Sequence, residues 1–267
     1  MKSLCFLSVF LVFLSNSWAA EPSLTSFCEH LDKTLRKVNS SAPTASCHSE
    51  KQKALYTRPT TYQGKTTSLL TPDEAQSLFK EMAAQDHIAF KFPVDGCFDR
   101  ANEMTRLMLL KGIKPLKGFL SVREEKGGGY KHYLQLADKA KPDDPWRWTD
   151  HVAPVVMVQD KGKMVPYVID PSAETKAVTF EQWKKNLSKH DKKIKLDTEI
   201  GRTGQYVIGS PLDMDFQDPA QVERLKTQIA KYKSYEQSKT GLNDYIGDEL
   251  WDRDDTEGKL DAMSGGK

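Results

Sequence analysis

The sequence predicts an α+β fold, with a central helix carrying Cys97 packed on an antiparallel sheet that carries His151 and Asp170. Two observations predict it most directly. Cys97, Ala101, Met104, Leu107 and Met108 recur at helical spacing up to a stop at Gly112. His151–Gln159 and Met164–Asp170 are apolar runs joined by Asp160-Lys161-Gly162-Lys163, a hairpin turn with a glycine available for positive φ. Runs at Leu116–Val122 and Tyr130–Leu136 supply further strands.

Taken in order, the chain opens as a secretory signal. Lys2 gives a positive start, Leu4 to Leu14 is apolar except for Ser8, and Ser17-Trp18-Ala19-Ala20 offers small residues for cleavage. The apolar run is too short to span a bilayer. The mature protein is therefore expected to be exported, secreted or periplasmic, with no membrane association. Losing residues 1–20 removes Lys2 and no acid, so the formal charge falls from +2 to +1. A chain so near neutrality gives no electrostatic case for nucleic acid or an anionic membrane surface.

Four cysteines are present, and Cys5 leaves with the signal. In an oxidising compartment thiols tend to pair. Cys28 and Cys47 lie close together in the N-terminal segment and are expected to form a disulfide, worth roughly 3 kcal/mol on the chain-entropy account. Cys97 is then the odd thiol, which points to intermolecular pairing or to reactivity.

Residues 21–40 carry Leu24, Phe27, Cys28, Leu31, Leu35 and Val38 at helical spacing. Residues 49–68 read as polar and irregular, with Pro59 and Gly64 as breakers. Thr71-Pro72-Asp73-Glu74 is a helix start with a capping box. His87–Phe92 reads as a short strand or extended lead-in, and residues 139–148 as a charged loop ending in two tryptophans. Thr179–Leu187 is a short helix, Tyr206–Ile208 a last strand, and Asp218–Gln237 an amphipathic helix before a polar tail. The expected organisation is a signal peptide over 1–20 and a disulfide-bearing helical segment over 21–60, either a small appendage or a pro-segment. A catalytic domain follows over 61–212, then a C-terminal helix and tail over 213–267.

The chemistry-bearing constellation starts with Cys97. A thiol attacks as the thiolate, and a helix N-terminus favours that anion through its partial positive charge and unpaired N–H groups. The same N–H groups can hold an oxyanion, and Gly96 lets substrate approach. A buried structural cysteine is the competing reading, and the unpaired thiol in an exported chain favours function. If Asp160 and Lys161 are the turn residues, His151 and Asp170 stand directly opposite one another, and a longer loop shifts this by one or two positions. A carboxylate beside an imidazole is what an orienter in a nucleophilic triad requires. Asp150 is the rival acid, but should point to the other face. Asp95 is expected to cap the helix, and Asp99 to be solvated. Trp148 either walls a substrate cleft or plugs a loop. No metal-ligand spacing is present.

Three stretches together resemble the protein-glutaminase family of protein-deamidating enzymes, among the papain-like and transglutaminase-like cysteine enzymes. They are Asp95-Gly96-Cys97 with an aromatic and Arg100-Ala101 behind it, His151-Val152-Ala153 opening a strand, and Ile169-Asp170-Pro171-Ser172. The resemblance covers about residues 85–175. Asp99 departs from the small residue the family tends to have, and 123–147 is a charged insertion. The resemblance implies a papain-like or transglutaminase-like core and a monomeric hydrolase. It would act on protein or peptide substrates bearing exposed glutamine, with no cofactor. Cys97 would attack the carboxamide, His151 would protonate the departing ammonia and activate water, and Asp170 would orient His151. Gly96 and Trp148 would border the oxyanion and substrate positions. Transglutamination, main-chain proteolysis and a non-catalytic binding role remain the alternatives on the same residues.

Overall fold

The computed structural model describes residues 58–92, 95–124, 130–136 and 146–238. The signal segment, the helix expected over 21–40, the Cys28–Cys47 pairing and the tail beyond 238 lie outside the described residues. Within them the fold is α+β, four helices on a multi-strand sheet, as the sequence predicts.

The first described elements form a hairpin that the sequence reading missed. β1 (Pro59–Tyr62) and β2 (Lys65–Leu70) pair antiparallel around Gln63-Gly64, both at positive φ (49° and 77°). Gly64, read as a breaker, is the turn residue that a tight hairpin needs. β2 runs into α1 (Pro72–Ala83), whose capping box forms as expected: Glu74 N–H donates to Thr71 Oγ1 (3.3 Å), and Thr71 N–H to Glu74 Oε2 (2.6 Å).

Residues 87–92 are not a strand. Ile88, Phe90 and Phe92 donate backbone bonds to Gln85, Ile88 and Ala89, so the segment is a series of turns. Ile88 and Ala89 are both buried, although neighbours on a strand point to opposite faces. α2 (Cys97–Leu110) follows and ends at Lys111, just ahead of Gly112. Arg100 to Arg106 are buried without interruption, as befits a helix enclosed on most sides.

The sheet is built on one long strand, β6 (Asp150–Asp160). It pairs antiparallel with β3 (Leu116–Val122) over its first half and parallel with β2 at Met157 and Val158. β7 (Lys163–Val168) pairs with it from Val155 to Asp160. Val155, Met157 and Val158 each bond a partner on both sides, so β3 and β2 share one edge of β6 and β7 takes the other. The sheet is therefore antiparallel but for the β2–β6 pair. β8 (Val178–Thr179) pairs with β7, and β9 (Leu196–Gly201), an edge strand absent from the sequence reading, pairs with β3. β4 (Leu134–Leu136) and β5 (Trp146–Trp148) form a separate two-stranded ladder. Strand structure thus starts only at Leu134 in the expected 130–136 run, and the loop expected up to 148 ends in a strand.

Alternate residues of β6 face two cores. Val156 and Val158 pack with α1 and α2, while Ala153 and Val155 pack with α3 (Phe180–Ser188). Thr179 caps α3 by accepting from Gln182 N–H (3.2 Å), but Gln182 turns its amide to Asn186 and does not reciprocate. Tyr206–Ile208 forms no strand; the region holds one isolated bridge, Gln205 to Asp213, and Val207 is exposed. α4 (Pro219–Gln237), capped by Asp218, lays Val222, Leu225 and Ile229 against Leu109 of α2.

Candidate active site

Cys97 is the first residue of α2, so its thiol leaves the helix where N–H groups have no intrahelical partner. The N-cap is Gly96, with φ 75° and no side-chain cap bond. Asp95 therefore does not cap the helix; its Oδ1 accepts from Gly96 N–H (2.6 Å), holding the turn instead. Arg100, buried one turn on, donates to the carbonyls of Asp95 (2.6 Å) and Phe92 (3.1 Å). The glycine is required for reasons other than substrate access. Its φ is left-handed, and a Cβ there would lie 2.8 Å from the Tyr232 ring. Its N–H is occupied by Asp95, so it is not an open donor toward the cleft.

His151 and Asp170 meet, though not as directly opposed residues. The hairpin pairs Asp160 with Lys163 around Lys161-Gly162, both at positive φ, so Gly162 takes the second turn position. Asp170 lies two positions off from opposing His151, beyond the end of β7, and the contact is diagonal. His151 Nε2 and Asp170 Oδ2 are 2.8 Å apart, with both residues almost completely buried. Asp170 Oδ2 also accepts from Trp183 Nε1–H (2.9 Å), and its Oδ1 accepts from Ser172 Oγ–H (2.5 Å) and N–H (3.2 Å). The imidazole is stacked on Trp148 (centroids 5.1 Å, planes 7° apart) and tilted against Trp183 (5.5 Å).

These surroundings set the charges. Burial opposes ionisation of both groups, but each holds the other charged: Asp170 raises the His151 pKa above its ordinary value, and His151 lowers that of Asp170. Cys97 is near enough to add to the upward shift on His151. With Nε2 committed to Asp170, Nδ1 is the nitrogen left for the sulfur. It is buried and without a hydrogen bond in the resting geometry, a looseness common in sites that tighten on binding substrate.

The cleft above is about 390 Å³ and is lined by Asp95, Cys97, Phe98, Arg100, Tyr133, Arg147, Trp148, Thr149 and Asp150. Cys97 is half-buried and opens onto it, while His151 and Asp170 are not among the lining residues. Asp150, the rival acid, is exposed and bonded to Ser121 and Thr149. Asp99 is not fully solvated: burial, and then Asp95, push its carboxyl up to about 6. Trp183 and Tyr232 were not singled out in the sequence, because each reaches the site from a distant helix. Ser172 carried a local signal, a hydroxyl two residues after an aspartate.

A family model described as Glutaminase matches residues 75–187, a span that includes Cys97, His151 and Asp170. No curated protein matches the chain. Among solved structures, the protein-glutaminase of Chryseobacterium proteolyticum is 19% identical over 61% of this chain and 88% of its own, with a TM-score of 0.47. A crystal structure of a protein-glutaminase is 20% identical over 60% of this chain and 85% of its own, at 0.46. A mutant pro-protein-glutaminase is 18% identical over 67% of this chain and 64% of its own, at 0.50. At 18% identity the last of these shows a likeness of fold alone. The family match over residues 75–187 agrees with the resemblance read from the three motifs, and that stretch of the chain is similar to the glutaminase family.

Proposed function

We propose that this chain is an exported protein glutaminase, hydrolysing the side-chain amide of protein-bound glutamine to glutamate and ammonia. The observation that carries this is the arrangement of three groups: a half-exposed thiol at a helix N-terminus, opening on a cleft beside a buried imidazole that a carboxylate keeps charged.

In this reading His151 rests as imidazolium, so the thiolate–imidazolium pair is the working form. The Cys97 thiolate attacks the carboxamide carbon, and the N–H of Cys97 receives the developing oxyanion. His151 gives its proton to the departing ammonia, leaving a thioester. The neutral imidazole then takes a proton from water, which attacks the thioester and releases glutamate. Asp170, fixed by Ser172 and Trp183, holds the ring through both steps. The face of Trp148 steadies the imidazolium, since a cation over an indole face is attracted by its quadrupole. These residues complete the cycle with no cofactor.

The test is incubation of the mature protein with casein or a blocked glutamine peptide, following three products. Ammonia without new N-termini supports deamidation. Incorporation of a labelled amine would mean that an amine, not water, takes the acyl group, and new N-termini would mean proteolysis. Cys97→Ala is expected to abolish turnover, and ammonia release that survives it would remove Cys97 from the mechanism.

A further inference from the structure

We propose that Tyr232, on the C-terminal helix α4, is a positioning residue for the nucleophile, holding Cys97 and its N–H in register through the Asp95-Gly96 turn. The inference rests on the reading of Cys97 as nucleophile given above and deepens it.

The turn before Cys97 is short and unusual. Among its described residues Gly96 is the left-handed one, and its N–H donates to the Asp95 side chain. That carboxylate has a second oxygen, Oδ2, and Tyr232 donates its hydroxyl to it (3.3 Å). The Tyr232 ring simultaneously fills the space where a Gly96 side chain would be, with Cδ2 and Cε2 both 2.8 Å from an added Cβ. One side chain thus grips both residues of the turn, Asp95 by its hydroxyl and Gly96 by its ring face. Tyr232 comes from 135 positions further along the chain and is 5% exposed, so its placement is set by the packing of α4. Phe92 and Tyr235 pack beside it.

The chemistry of the hydroxyl suits a fixed donor. Burial, with Asp95 close by, pushes the Tyr232 pKa above its ordinary value, so the hydroxyl keeps its proton through the working pH range. Without that donor, Asp95 Oδ2 loses one of its constraints and the carboxylate gains freedom to turn relative to Gly96. The Cys97 N–H then moves with the peptide plane that Gly96 governs. An oxyanion donor must sit within a narrow distance of where charge develops, so such a loss falls on the chemical step rather than on substrate binding.

The experiment uses the full mature chain and Tyr232→Phe, which keeps the ring and removes the hydroxyl. A hydrogen bond to a charged acceptor corresponds to about a tenfold effect on rate. The expected result is therefore a roughly tenfold fall in kcat per titratable thiol, with KM within about twofold. The rate of Cys97 alkylation by iodoacetamide should fall as well, and this readout does not depend on glutaminase activity. Tyr235→Phe, which loses the same hydroxyl one turn away on the same helix, is the control and is expected to leave both rates unchanged. In an Asp95→Asn background, Tyr232→Phe should add little, because it acts through that carboxylate. Unchanged kcat and alkylation in Tyr232→Phe would overturn the proposal, as would full additivity with Asp95→Asn. A purely structural role would lower the melting temperature and the fraction of active protein while leaving the rate per thiol intact, and that outcome also overturns it. Absence of ammonia release from the unmutated protein, with alkylation still sensitive to Tyr232, would instead reject the glutaminase reading and leave the positioning role standing.

Discussion

Among the buried basic side chains of the described residues, His151 and Lys117 show opposite outcomes of burial. His151 on β6 and Lys117 on β3 are both nearly inaccessible. Burial penalises the charged form of each. His151 faces a carboxylate, and the ion pair more than offsets the penalty, so its pKa rises. Lys117 faces an amide and a carbonyl: its ammonium donates to Asn102 Oδ1 and to the carbonyl of Gln205 (3.1 Å), with the Phe216 ring 6.0 Å away. Those partners satisfy its hydrogen bonds but bring no charge. Asp213 and Asp99 pull the other way more weakly, and its pKa falls to about 7. Of these two bases, the one kept charged at neutral pH is the one a full negative charge touches, and that pair lies at the candidate site.

The largest expected effect comes from making His151 resemble Lys117. Asp170→Asn keeps the shape and removes the charge. Turnover is expected to fall by about 10³–10⁴, by analogy with triads whose acid has been neutralised. The alkaline limb of the pH–rate profile should also move down towards or below the ordinary histidine value, because burial is then unopposed. Ammonia release measured across pH checks both. An Asp170→Asn variant as fast as wild type would mean that the pair has been given the wrong role.

The converse change is Asn102→Asp, which gives Lys117 the carboxylate it lacks. The sign follows from linkage. Lys117 has a folded pKa below its unfolded value of 10.5, so between about pH 7 and 10.5 the unfolded chain binds a proton that the folded one does not. Stability should therefore rise with pH across that window, by up to about 1.4 kcal/mol per unit. The His151–Asp170 pair works against this slope. Its raised histidine pKa gives stability that is complete below the ordinary value of 6.5 and is lost as pH climbs through the folded pKa. Asn102→Asp should flatten the Lys117 contribution by keeping the ammonium charged. Lys117→Met should remove it outright, at the cost of leaving Asn102 Oδ1 and the Gln205 carbonyl without that donor. Urea denaturation at pH 7 and pH 9 reads the difference. An unchanged slope in Lys117→Met would show that this lysine is not the group responsible.

How much of this was legible in the sequence divides along the same line. Cys97 at a helix start and the apolar hairpin around Gly162 are local patterns, and local patterns survive into structure. The register is two positions from the one a turn at Asp160-Lys161 would give, the outer end of the one or two positions expected for another loop. The two-residue turn found has positive φ at both central positions, the type I′ requirement, which puts Gly162 inside it. β1 and β2 were missed because Thr60, Thr61, Thr66 and Thr67 hide a one-sided strand pattern. β9 was missed because Asp197 and Thr198 are exposed and Glu199 is half-buried, which gives a sheet edge no apolar alternation. Lys117 sits in a run read correctly as a strand, yet its burial depends on Asn102 and Gln205, which are brought to it only by the fold. The same holds for Trp183 and Tyr232 at the candidate site.

The smallest expected effect sharpens what the carboxylate itself requires. Asp170 Oδ2 is shared between His151 and Trp183, whose indole is fully buried and tilted against Phe180 (5.7 Å). Trp183→Phe keeps an aromatic ring beside the imidazole and removes the Nε1–H donor together with part of the buried indole, so its kcat is read per titratable thiol. The lowered pKa of Asp170 depends first on His151, with Trp183 the last of its influences, so the acid remains charged at neutral pH. What it loses is one of two constraints on Oδ2, while Ser172 still holds Oδ1. The expected fall in kcat is therefore about tenfold, the scale of one hydrogen bond to a charged group, with the alkaline limb of the pH profile nearly unmoved. Kinetics of ammonia release on this variant beside Asp170→Asn separate two ways of building the site. A loss as deep as that of Asp170→Asn would mean that orientation, not charge, is what the carboxylate contributes. A small loss with an unshifted limb would mean that the charge itself distinguishes His151 from Lys117.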